Sequence, residues 1–149
     1  MPVYITDDQS EAPVDVDRLH DLVRYVLTDR GVPDAMEVSV LCVDVAEMTQ
    51  LNRRHMGKDG PTDVLAFPLD EPDGTDDGPT SILGDVVLCP EVARRQAHDR
   101  GKNVQQELDL LAVHGILHLL GHDHAETEEQ AVMFGLTAEM LTGFAGARR

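Results

Sequence analysis

Val113-His114-Gly115-Ile116-Leu117-His118-Leu119-Leu120-Gly121-His122-Asp123-His124 carries histidines at a spacing that dictates its own local structure. On a helix, His114 and His118 lie about 40° apart around the axis and roughly 6 Å along it, so both imidazoles reach one ion. Continued helically, His124 would sit about 120° round from His118 and about 9 Å further on, outside that coordination shell. The helix therefore has to end between them. Gly121 is the residue able to end it, by taking a left-handed backbone conformation.

Three neutral imidazoles without a fourth protein ligand are the pattern of a catalytic zinc site, in which the open position holds a water acidified to a pKa of roughly 7. The bland alternative is a set of core or surface histidines on an amphipathic helix. Three at this spacing around a glycine, in a chain with 7 histidines, weigh against it. The spacing H-x-x-x-H-x-x-G-x-x-H is also that of metzincin peptidases, where a Glu after the first His acts as general base. Here that position is Gly115, so a peptidase ranks second.

A chain of 149 residues is expected to form one domain, 1–149, with a real core. No apolar run approaches the roughly 18 residues of a membrane span. Asp7, Asp8, Glu11, Asp15 and Asp17 argue against a signal peptide, so a cytoplasmic protein without a membrane partner is expected. Cys42 and Cys89 fall in apolar strand-like runs and read as free, buried thiols. The formal charge of −16 is unusual for a nucleic-acid enzyme and suppresses non-specific binding. Recognition would fall to local basic groups, of which Arg53, Arg54, His55 and Lys58 form one and Arg94, Arg95, Arg100 and Lys102 another.

In chain order, Val3 to Ile5 reads as a strand. A helix with Asp15 as N-cap and Gly31 as stop follows, then a strand over Glu37 to Val43. Asp44 with Glu47 starts a helix running to about His55. Asp63 to Leu69 and Ile82 to Cys89 read as strands flanking an acidic loop from Asp70 to Pro79. Pro90 opens a helix ending at Gly101, and Asn103 with Gln106 caps the helix that carries His114 and His118. The last helix is expected from Thr127 to about Thr142, with Val132, Met133, Leu136 and Met140 in the core and a fraying tail from Gly143. Strands and helices without strict alternation predict an α+β domain, a small mixed sheet of about four strands packed with about five helices.

The run from His114 to His124 resembles the signature of the YbeY family of bacterial zinc-dependent endoribonucleases that mature ribosomal RNA. Leu51-Asn52 with Pro61-Thr62-Asp63-Val64-Leu65-Ala66-Phe67-Pro68, and Leu83-Gly84-Asp85-Val86, resemble the same family. The resemblance implies a metallohydrolase-like α+β fold and one zinc per chain on His114, His118 and His124. It also implies a single-strand-specific endoribonuclease in maturation of the 3′ end of small-subunit ribosomal RNA and in ribosome quality control. Partners would be single-stranded precursor RNA and the small subunit or its assembly factors, with no DNA. The rivals are a zinc peptidase or other zinc hydrolase, and a non-enzymatic ribosome-assembly factor in which zinc only holds the fold.

Further candidates follow around those ligands. Asp123 either orients His124 or a metal-bound water, or caps the turn after Gly121. Thr62 and Asp63 lie at a turn-to-strand junction that the resemblance puts beside the zinc cleft. Asp85 is a charge inside a strand, for which a structural ion pair or hydrogen bond is expected. Where the family has an Arg said to meet RNA phosphate, this chain has Met56. Either that role is absent, or a neighbour supplies the cation: Arg53 first, three residues away on the same helical face, with Arg54 and Lys58 as alternatives.

Overall fold

The structure is a computed structural model that describes residues 2–71, 81–122 and 126–148. The chain runs β1 (Val3–Asp8), α1 (Val16–Asp29), β2 (Met36–Val43), α2 (Val45–Met56), β3 (Val64–Pro68), β4 (Ser81–Leu88), α3 (Pro90–Asp99), α4 (Val104–Leu119) and α5 (Thr127–Ala147). The strands form one four-stranded sheet in the order β1-β2-β4-β3. β1, β2 and β4 are parallel, and β3 is antiparallel to β4. The mixed sheet with five helices among the described residues is the α+β architecture expected from the sequence.

Local signals start the helices where they were anticipated. The Asp15 carboxylate accepts from the Arg18 N–H at 3.1 Å, and that of Asp44 from the Glu47 N–H at 2.8 Å. Asn103 and Gln106 satisfy each other's backbone N–H groups in a full capping box. Pro90 occupies the first turn of α3, where its missing N–H costs nothing.

Side-chain alternation along the strands serves two faces. Val38, Val40 and Cys42 of β2 join Val86 and Leu88 of β4 in the main core under α1, α4 and α5. Val43, Leu65, Val87 and Cys89 point the other way, onto Met48 of α2. Burial on both faces explains why the later part of each strand, Val40 to Val43 and Val86 to Leu88, is apolar throughout. Both cysteines are free and buried. Burial, with Asp7 and Cys89 nearby, pushes the Cys42 thiol up to about 12, and burial also raises Cys89, so neither is a ready thiolate at neutral pH.

Gly84 sits at the register shift between β2 and β4, with φ +154°. A Cβ there would come 2.5 Å from the Phe67 carbonyl oxygen and 2.7 Å from Leu119 Cδ2. Glycine at this point lets both β3 and α4 close on β4. Its neighbour Asp85 is half-buried, in register with Ser39 and Phe67. The expected ion pair or hydrogen bond for Asp85 is not found among the described residues.

The C-terminal expectations need two corrections. α5 continues through Gly143 to Ala147 where fraying was anticipated. Phe144 is buried edge-on against Tyr25, with ring centroids 5.8 Å apart, between the guanidinium groups of Arg18 and Arg148. Arg148 also bonds Asp21 at 2.9 Å, so long-range contacts hold a segment of weak intrinsic helicity. The buried stripe of α5 is Met133, Thr137, Met140 and Phe144, leaving Val132 exposed and Leu136 half-buried. Thr137 takes a core position by donating its hydroxyl to the Met133 carbonyl at 2.8 Å. Among the described residues, no helix is long and apolar enough to cross a membrane. β3 ends at Pro68, and Asp70, where the acidic loop was anticipated to begin, donates its N–H to the Ile82 carbonyl at 2.9 Å; residues 72–80 lie outside the described residues.

Candidate functional site

α4 brings the site together because one of its faces carries Glu107, Leu111, His114 and His118 on successive turns. This face forms the floor of a cleft of about 730 Å³. Val64 and Ala66 of β3, with Thr62 and Asp63 just before it, make one wall. Met133, Phe134 and Leu141 of α5 make another, and Asn52, Met56 and Lys58 form part of the rim.

Gly115 sets how closely α4 approaches the sheet. A Cβ at this position would lie 2.6 Å from Val86 Cγ1 and 3.4 Å from Val64 Cγ2. The absence of a side chain thus seats the two histidines directly beside the β3 wall. At the other end, the helix stops as its sequence anticipates. Gly121 has φ +95°, its N–H bonds the His118 carbonyl at 3.0 Å, and the His122 N–H bonds the Leu117 carbonyl at 3.1 Å. That hydrogen-bond pair is a Schellman motif, which satisfies the last carbonyls and turns the chain out of the helix before residue 124.

His114 and His118 are both half-buried and both line the cleft. The His114 ring stacks on Phe134, with centroids 5.6 Å apart and planes inclined by 27°. Asp123 and His124 lie outside the described residues. Among the described residues, no group of three or more His, Cys, Asp or Glu side chains is placed to hold a metal, so the described donor set is the His114–His118 pair. His122 is half-buried.

Asp63 is held from several directions. It accepts from the Val64 N–H at 2.7 Å, the Gln96 amide at 3.2 Å and the Thr62 hydroxyl at 3.3 Å, while its own carbonyl accepts from the Cys89 N–H. Both Thr62 and Asp63 line the cleft. Asn52 is 5% exposed and donates to the Gly60 carbonyl at 2.9 Å, which ties the turn after α2 to the helix and sets the approach to Thr62.

The basic groups divide differently from expectation. Arg53 and Arg54 are exposed on α2 and neither lines the cleft, whereas Met56 and Lys58 do. At the end of α2 the chain turns at Gly57, φ +66°, and this turn places Lys58 at the rim. In the second group, Arg94 and Arg95 both pair with Glu91, whose carboxyl Arg94 above all holds below the usual range. Arg100, 55% exposed, lines the cleft and bonds Glu107 at 2.8 Å.

Glu107 and Phe134 were not anticipated as site residues. Glu107 is seven residues before His114 and so shares its face, a spacing that was legible. Its pairing with Arg100 across the α3–α4 junction was not. The Glu107 carboxylate is 1% exposed and one of its oxygens, Oε2, has no hydrogen-bond partner among the described residues. Arg100→Ala is therefore expected to lower stability by about 2–3 kcal/mol, because it strands a buried carboxylate. Arg100→Ala with Glu107→Leu should recover most of that loss in urea unfolding, and equal losses in the single and double variants would remove the pair from this account.

The profile of the family described as Endoribonuclease YbeY matches residues 4–145. The chain belongs to the YbeY family. Among curated relatives bearing the name Endoribonuclease YbeY, one from Thermobifida fusca is 51% identical over 92% of this chain and 90% of its own length. One from Salinispora tropica is 49% identical over 95% of each. One from Frankia casuarinae is 46% identical over 99% of this chain and 76% of its own length. A Thermotoga maritima protein solved in solution is similar in fold, with a TM-score of 0.64 at 27% identity, covering 99% of this chain and 91% of that one. The blocks that resembled YbeY in the sequence converge here. Asn52 anchors the rim, Thr62 to Ala66 forms a wall, Gly84 admits α4, and His114 with His118 lies on the floor.

Proposed function

We propose that this YbeY endoribonuclease, a hydrolase of RNA, uses one zinc ion per chain to cut unpaired precursor small-subunit ribosomal RNA near its 3′ end. In this reading it also acts in ribosome quality control. The observation that carries the metal reading is the His114–His118 pair, one turn apart on the floor of a cleft large enough to admit a nucleotide. Two imidazoles suit zinc by donor chemistry, and His124 is assigned as the third ligand. Held there, zinc would lend Lewis-acid chemistry, acidifying a water and offsetting charge that develops on phosphoryl oxygens.

The chain's own residues supply the rest. The cleft walls restrict water around the two imidazoles. Lys58 and Arg100 offer positive charge to the phosphodiester from the cleft itself. Thr62 and Asp63, fixed by their hydrogen bonds, position the strand along β3. Asp123 is assigned to orient His124. Arg53 and Arg54, outside the cleft lining, are assigned to phosphates beyond it. With a charge of −16, the protein relies on these few cations for RNA selectivity, and DNA is not a substrate in this reading. The site of action is the cytoplasm, on the small subunit or its assembly intermediates.

The test is an assay of metal-stripped and zinc-restored protein on single-stranded RNA, duplex RNA and casein. Cleavage confined to single-stranded RNA and restored by zinc is expected. Equal cleavage without metal would overturn the zinc assignment, and casein cleavage would overturn the choice of substrate.

A further inference from the structure

Two of the large apolar side chains left exposed, Met56 and Phe134, lie on the same cleft as Lys58, Arg100, His114 and His118. Phe134 is 50% exposed even though its ring is stacked on His114. An aromatic ring anchored on one side and open on another, with cations at the same cleft, has the chemistry of a single-strand nucleic-acid platform. Unpaired bases stack on such rings while nearby Lys and Arg track the phosphates. In a duplex, base faces are occupied by their neighbours.

We propose that Phe134 is a base-stacking platform that takes one unpaired base of the RNA next to His114, and that it is a main source of the preference for single strands. This rests on the endoribonuclease reading of the same cleft. The anchoring by His114 keeps the platform rigid, which lowers the ordering cost of binding. It also ties the position of the captured base to the imidazole pair. Cleavage then falls at a set distance from a base seated on Phe134, so an unpaired base at that position is what the site selects. Met56, across the cleft on the α2 side, offers an apolar edge without competing for hydrogen bonds.

Binding of a fluorescein-labelled, 2′-O-methylated RNA octanucleotide, checked intact on a gel, tests the proposal by anisotropy. Phe134→Ala should weaken binding roughly 5- to 150-fold. Phe134→Tyr should bind like the parent, and Phe134→Leu should bind nearly as weakly as Phe134→Ala. In octanucleotides with an abasic site walked along the chain, one position should weaken the parent protein strongly and leave Phe134→Ala indifferent. With cleavable RNA, KM should rise and kcat change little. A lowered kcat at unchanged KM, or the same response of both proteins to every abasic position, would mean that Phe134 only props His114 and would overturn the proposal. Phe134-dependent binding by a protein that cleaves without zinc would sink the metal assignment and leave this inference standing.

Discussion

His118→Ala is expected to lose nearly all bound zinc and to cut single-stranded RNA about a thousandfold more slowly, with its fold intact. The magnitude follows from the several kcal/mol that a metal contributes to phosphoryl transition states, at 1.36 kcal/mol per factor of ten. Retention of the fold follows from the core, which closes from Leu108, Ile116 and Leu117 on α4 against the sheet without either imidazole. His118 is half-buried on the cleft face, so truncating it opens the cleft more than it hollows the core. Metal content by elemental analysis, far-UV circular dichroism and a cleavage assay read the three quantities separately. Zinc and activity at parental levels would remove His118 from the site, whereas an unfolded variant would favour a structural metal.

Gly115→Glu is expected to destabilise the protein severely, by more than the 1–3 kcal/mol typical of overpacking, and to create no peptidase. This substitution restores the one residue that separates the histidine spacing from a metzincin. Its first side-chain atom would already press on Val86 at 2.6 Å, and the carboxylate beyond would be driven among Val86 and Val64 without a partner. The gain in helix propensity over glycine, about 1 kcal/mol, is too small to offset that. Urea unfolding and a casein assay check both parts. A variant as stable as the parent would mean that α4 can lift off the sheet, and casein cleavage by it would show that only the base was missing.

The same position shows how sequence and tertiary structure divide the account. From the residues alone, Gly115 was a missing base; in the fold it is the point where α4 meets β4. What the sequence by itself determined lies within about one helical turn along the chain: the caps at Asp15, Asp44 and Asn103, the Gly121 stop, and the shared face of His114 and His118. Such features depend on backbone groups three or four residues apart, so neighbouring residue types suffice to specify them. Tertiary structure decided the order β1-β2-β4-β3, the burial of Thr137 in place of Val132, and the helical tail held by Phe144 on Tyr25. It also decided that Lys58 and Arg100, and not Arg53, share the cleft, and that Phe134 stacks on His114 from another helix. Each of these joins residues far apart in the chain, where packing of whole elements selects the partner and overrides the local propensity of either one.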